Sequence, residues 1–120
     1  MGRLTGKTAI ITGAARGMGA SHARLFVQEG ANVILTDRNV EGGQALTTEL
    51  GEQASFVPHD VTSPVSWANV IAAAVDAFGT IDILVNNAGI LGPMATTADL
   101  TEDGYDQVCA INQHSVFYGM

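Results

Sequence analysis

Positive charge is scarce in this chain and confined to one end. All five Lys and Arg residues fall at or before Arg38, and Lys7 is the only lysine. Against twelve acids this leaves a formal net charge of −7. A nucleic-acid binder needs a basic face to displace counterions, and so does a protein that docks on an anionic bilayer; both readings are disfavoured. There is one cysteine, Cys109, so no internal disulfide can form and a reducing compartment, the cytoplasm by default, is expected. No apolar run is long enough for a signal peptide or a membrane span. Gly6 stands where a myristoylation signal at Gly2 needs Ser or Thr. Charged residues make up only 14% of the chain, which points to surfaces covered by a partner chain or by further sequence.

Apolar residues, in contrast, are plentiful at 47%, ample for the core of one domain. They fall in short β-rich runs that alternate with helical ones. Strands are expected over 8–13, 31–37, 54–60 and 81–86; the first is a continuous apolar run of the kind buried on both faces, and the second is buried likewise. Helices are expected over 17–29, with Met18, His22, Leu25 and Phe26 on the buried face, and from the Asn39 cap to Leu50. A third, from the Ser63 cap, has Trp67, Ala68, Ile71, Val75 and Phe78 at helical spacing; a fourth starts at the Thr101 cap. Pro58 near the end of the third strand suits an edge position. The order βαβαβαβα with short connections predicts an α/β fold, a doubly wound parallel sheet with strand order 3-2-1-4. Its switch point lies between strands 1 and 4, where ligands bind beyond the strands' carboxyl ends.

Four segments converge on that point. The loop Thr12-Gly13-Ala14-Ala15-Arg16-Gly17-Met18-Gly19 joins a strand to a helix, and a pyrophosphate can sit on the helix N-terminus there. Gly13 permits the turn, Gly17 the approach of phosphates, and Gly19 the packing of helix on strand. Asp37 ends strand 2, 24 residues after Gly13, near the spacing of an acid that accepts from adenosine-ribose hydroxyls. Its charge favours NAD over NADP, although Arg16 and Arg38 would attract a 2′-phosphate. Asp60 can accept from an adenine amino group while the Val61 backbone meets the ring edge. The tetrapeptide Asn86-Asn87-Ala88-Gly89 closes strand 4, where asparagines can tie strands together and Ala88 and Gly89 leave room for a ribose.

Together with Asn112 these segments resemble the short-chain dehydrogenase/reductase family, in the right order and across the whole chain. The resemblance implies a Rossmann-type dinucleotide-binding domain over residues 1–120, incomplete at its C-terminus, with the remaining strands absent. It implies an NAD(P)-dependent oxidoreductase interconverting an alcohol and a ketone, with a small-molecule substrate and a homo-oligomeric, tetrameric full-length protein. Carried over by position, Gly13, Arg16, Gly17, Met18 and Gly19 hold the pyrophosphate side. Asp37 and Arg38 face the adenosine ribose, Asp60 and Val61 the adenine, and Asn87, Ala88 and Gly89 the middle of the cofactor. Asn112 resembles the catalytic asparagine that positions a water in the proton relay.

The family's acid/base pair is missing. It uses a tyrosine with a lysine four residues later, because a phenol of pKa about 10 must be lowered before it works near neutral pH. Tyr105 is followed four places on by Cys109, and Tyr118 by nothing. Ser115 does not match the family serine. The chain is therefore expected to be the N-terminal part of a longer enzyme and inactive alone. A non-catalytic dinucleotide-binding or sensing module is the alternative; a methyltransferase would not call for Asn87 or Asn112. His22 reads as buried and neutral and His59 as structural. His114 points elsewhere, Cys109 is a small buried apolar residue, and no metal site is expected. Leu91 and Met94 fit either a substrate wall or a core-covering loop.

Overall fold

The computed structural model describes residues 2–120. Strands β1 (Thr8–Thr12), β2 (Asn32–Asp37), β3 (Ala54–Pro58) and β4 (Ile83–Val85) form one parallel sheet in the order β3-β2-β1-β4. This is the expected doubly wound topology, and Pro58 closes an edge strand, where its missing N–H costs no ladder bond. Helices α1 (Gly17–Gln28), α2 (Val40–Leu50) and α3 (Pro64–Phe78) connect the strands. After β4 a long loop leads into α4 (Glu102–Cys109), a π-helical turn over Ala110–His114, and α5 (Ser115–Gly119). The side chains of Asn39, Ser63 and Thr101 each cap the helix that follows them, as their residue types predict.

Both faces of the central strands are buried, which explains why they read as continuous apolar runs. On one face Ile11, Val33 and Leu35 meet Ala20, Ala23 and Leu46 of α1 and α2. On the other, Ile10 and Ile34 meet Val70 and Ala74 of α3.

Several expectations are corrected. The strands are one to three residues shorter than the apolar runs, so Gly13, His59, Asp60 and Asn86 belong to loops at the sheet's carboxyl edge. The buried face of α1 is Gly19, Ala20 and Ala23; Met18 is 70% and Leu25 47% exposed. The cause is close approach: a Cβ on Gly19 would overlap the Gly13 carbonyl, so only small residues fit between helix and sheet. His22 accordingly is half-buried rather than in the core, and its Nδ1 has no partner. In α3 the buried stripe is Trp67, Val70 and Ala74, with Ile71 and Val75 exposed. Leu91 and Met94 cover no core; both are more than nine-tenths exposed. Cys109 is half-buried.

Candidate functional site

A cavity of about 360 Å³ opens at the carboxyl ends of the strands, between the loops that follow β1, β2, β3 and β4. Of the residues singled out from sequence, Gly13, Arg16, Gly17, Asp37, Arg38, Asp60, Val61, Asn87, Ala88 and Gly89 all line it. Met18, Gly19 and Asn112 do not. Met18 points to solvent, and Gly19 lies behind the wall, packed on the Gly13 carbonyl. His59, Ile90 and Ile111 also contribute to the wall.

The first loop turns on two glycines in the left-handed region, Gly13 at φ 62° and Gly17 at φ 58°. At Gly13 a Cβ would also meet the Ala88 Cα at 2.9 Å, so β1 and β4 loops touch there. At Gly17 the space is open. Arg16 is the N-cap of α1 but offers no capping hydrogen bond, and no acid occupies the first turn. Helices α2, α3 and α4 all have capped starts. The first N–H groups of α1 thus have no side-chain cap, and Arg16 stands beside them in the cavity wall.

Asp37 is held on both oxygens. Its Oδ2 accepts from the Ala15 N–H at 3.0 Å and its Oδ1 from the Asn39 N–H at 2.9 Å. Each oxygen keeps a further lone pair, so the carboxylate is oriented without being used up. Asp60 is held by one residue: Thr62 donates both its N–H, at 3.0 Å, and its hydroxyl, at 2.6 Å, to Oδ1. Those two bonds, with a smaller pull from the Arg38 charge, hold the Asp60 carboxyl below its ordinary range. His59 is almost fully buried, with Nδ1 3.0 Å from the Thr36 hydroxyl. Burial lowers its pKa to about 4, against an opposing push from Asp60, so the ring is neutral near pH 7.

On the far wall, Thr12 and Asn87 lock β1 to β4. The Asn87 carboxamide donates to the Thr12 and Gly13 carbonyls at 3.0 and 3.2 Å. The buried Thr12 hydroxyl accepts the N–H groups of Asn87 and Ala88, both at 3.0 Å, and donates to the Val85 carbonyl. Thr12 and Thr62 escaped the sequence reading. A polar residue closing an apolar strand just before a loop glycine was the available signal for Thr12.

Asn112 lies in the π-helical turn, outside the cavity wall. Its Oδ1 accepts from the Ile90 N–H and its Nδ2 donates to the Ile90 carbonyl, both at 2.8 Å. The carboxamide thus reproduces both hydrogen bonds of a strand neighbour and fixes the segment that follows Gly89. Tyr105 is 59% exposed, and the neighbouring Cys109 raises its pKa, the wrong direction for a general base. Among the described residues no helix is long and apolar enough to cross a membrane.

Comparison with known proteins places this geometry. The family model described as short chain dehydrogenase matches residues 7–120. The chain is 44% identical over 119 residues to a 3-alpha-(or 20-beta)-hydroxysteroid dehydrogenase of Mycobacterium tuberculosis, covering 99% of this chain and 45% of that protein. It is 45% identical over 117 residues to a 3-beta-hydroxysteroid dehydrogenase of Comamonas testosteroni, covering 98% of this chain and 46% of the relative. Among solved structures, a 3-ketoacyl-(acyl-carrier-protein) reductase from Brucella melitensis, complexed with NADH, superposes with a TM-score of 0.94 at 34% identity. That superposition covers 97% of this chain and 48% of the other. The chain therefore spans about half the length of the relatives it matches.

Proposed function

The chain belongs to the short-chain dehydrogenase family, and from that premise we propose that the protein is an NAD-dependent oxidoreductase interconverting a secondary alcohol and a ketone. The observation that carries this reading is the Asp37 carboxylate, fixed by the Ala15 and Asn39 amides at the cavity edge with a lone pair free on each oxygen. Two such acceptors suit a ribose cis-diol, and their charge disfavours a 2′-phosphate. The residues present fit a dinucleotide: uncapped α1 amides and Arg16 for the diphosphate, Asp60 and Val61 for the adenine, and Asn87, Ala88 and Gly89 for the middle of the molecule.

The nicotinamide ring, when bound, supplies or takes up the hydride. The protein's own part is to bind, orient and exclude water. Asn87 keeps the cleft wall rigid through Thr12, and Asn112 fixes Ile90, which lines the cleft. Asn112 is thereby a positioning residue in this reading, serving the proton relay through the segment it holds. Residues 1–120 contain no tyrosine with a lysine four positions on. Proton transfer at the substrate oxygen is assigned to residues outside this span, and a polypeptide of residues 1–120 alone is expected to bind dinucleotide without turnover. A non-catalytic dinucleotide-binding module is the second reading.

Steroid alcohols and ketones head the substrates to test, because two of the relatives described are hydroxysteroid dehydrogenases. A homo-oligomeric, cytoplasmic protein remains our proposal. The test is NAD-linked oxidation of a panel of steroid and simple secondary alcohols by the full-length protein. Turnover supports the enzyme. Tight NAD binding with no turnover across the panel and in the reverse direction would favour the binding module.

A further inference from the structure

The segment proposed to read adenine is held almost entirely by the first turn of α3. Three successive peptide units surround Asp60 and Val61, and each is tied down separately. The Asp60 N–H donates to the Ser66 hydroxyl at 3.0 Å. The Asp60 carbonyl accepts the Ser63 N–H at 3.1 Å. The Val61 carbonyl accepts the Trp67 indole N–H at 2.9 Å. Because the peptide is planar and trans, turning the Asp60 carbonyl toward α3 turns the Val61 N–H away from it. The Val61 carbonyl shares its peptide plane with the Thr62 N–H, which in turn orients the Asp60 carboxylate.

Trp67 is the anchor of this arrangement. It is 4% exposed, and the His59 ring meets it edge-on with centroids 4.4 Å apart. At the outer ring atoms α5 comes so close that a Cβ on Gly119 would lie 2.7 Å from the indole. The indole is therefore held by two further elements, and its N–H is spent on the one carbonyl that sets the Val61–Thr62 plane.

We propose that Trp67 is a positioning residue for base recognition: through the Val61 carbonyl it fixes the donor and acceptor pattern that Asp60 and Val61 present to the adenine edge. This rests on the dinucleotide reading above. Adenine offers an amino donor and a ring-nitrogen acceptor on that edge. Hypoxanthine reverses both, with a carbonyl acceptor and a ring N–H. A rigid acceptor–donor pair distinguishes them; a loose one does not.

The test compares binding of NADH and its hypoxanthine analogue to the full-length protein and to Trp67→Phe, which keeps an aromatic ring and loses the N–H together with the outer part of the indole. The wild type is expected to prefer the adenine form by about tenfold or more. In W67F the preference should fall to about threefold or less, mainly through weaker binding of the adenine form. An equal loss for both dinucleotides, or no change in the ratio, overturns the proposal. A wild type with no base preference removes the underlying adenine assignment instead.

A second measurement keeps Trp67 in place. Trp67 is the only tryptophan of residues 1–120, so in full-length protein with any tryptophan beyond them replaced by phenylalanine the emission reports this site alone. Saturation with ADP-ribose, established by calorimetry, should shift that emission, and the hypoxanthine counterpart should shift it less. Unchanged emission at saturation counts against the proposal even if W67F fails to fold.

Discussion

Asp37 Oδ2 accepts the main-chain N–H of Ala15 at 3.0 Å, so the carboxylate proposed to grip a ribose also holds the loop proposed to carry the phosphates. Sugar recognition and loop geometry therefore share one side chain. Asp37→Asn keeps the shape but replaces one acceptor oxygen by an amide that cannot accept. It should weaken NADH binding by about tenfold or more while NADPH changes less, narrowing or reversing the ratio of the two affinities. Parallel titrations measure it. Equal losses for both cofactors would mean that Asp37 acts on the loop alone.

Thr12 should matter more to stability than its size suggests. Its hydroxyl is the shared acceptor for Asn87 and Ala88, and the residue is buried. Thr12→Val preserves shape and leaves those donors short of a partner, at a cost of about 1–3 kcal/mol. Thr12→Ser should recover most of it. Urea unfolding midpoints of the three proteins decide; a valine variant as stable as wild type contradicts the lock.

His59 makes stability depend on pH in a defined window. Its folded-state pKa is lowered to about 4 from 6.5, so the unfolded chain binds a proton that the native ring does not. Its contribution is complete above the unfolded value and is lost as pH falls from 6.5 towards 4, by up to about 3 kcal/mol. Denaturant unfolding at a series of pH values should show this slope, and His59→Gln should flatten it. An unchanged slope in the variant would assign the acid sensitivity to other groups.

Asn112 straps the loop after β4 with two hydrogen bonds to one residue, Ile90. In Asn112→Ala the Ile90 amide loses its partner and should exchange with solvent about tenfold faster or more, as expected for an opening made easier by about 1–2 kcal/mol. Hydrogen exchange followed by NMR reads this directly. Equal protection of Ile90 in both proteins would show that the strap carries nothing.

Much of this was legible in the sequence, and the failures share a physical cause. Strand order followed from short connections between buried apolar runs, and the cleft followed from glycines and acids at the ends of those runs. The faces of α1 and α3 did not. Reading periodicity favours large residues, yet α1 approaches the sheet so closely that Gly19, Ala20 and Ala23 form the contact and Met18 is turned out. Helix α3 is apolar nearly all round, so Ile71 and Val75 looked as suitable as Val70 and Ala74. Asp37, Asp60 and Asn112 were visible as candidates, but apart from the Thr62 hydroxyl on Asp60 their hydrogen-bond partners are backbone groups that any residue supplies. The π-helical turn around Asn112 leaves no compositional trace at all.

A dinucleotide whose adenosine sugar meets Asp37 as a free diol is the central proposal. Titrating NADH and NADPH into the full-length wild-type protein under identical conditions tests this most directly. NADH should bind at least about tenfold more tightly. Tighter binding of NADPH, with Arg16 and Arg38 capturing the 2′-phosphate, would contradict it.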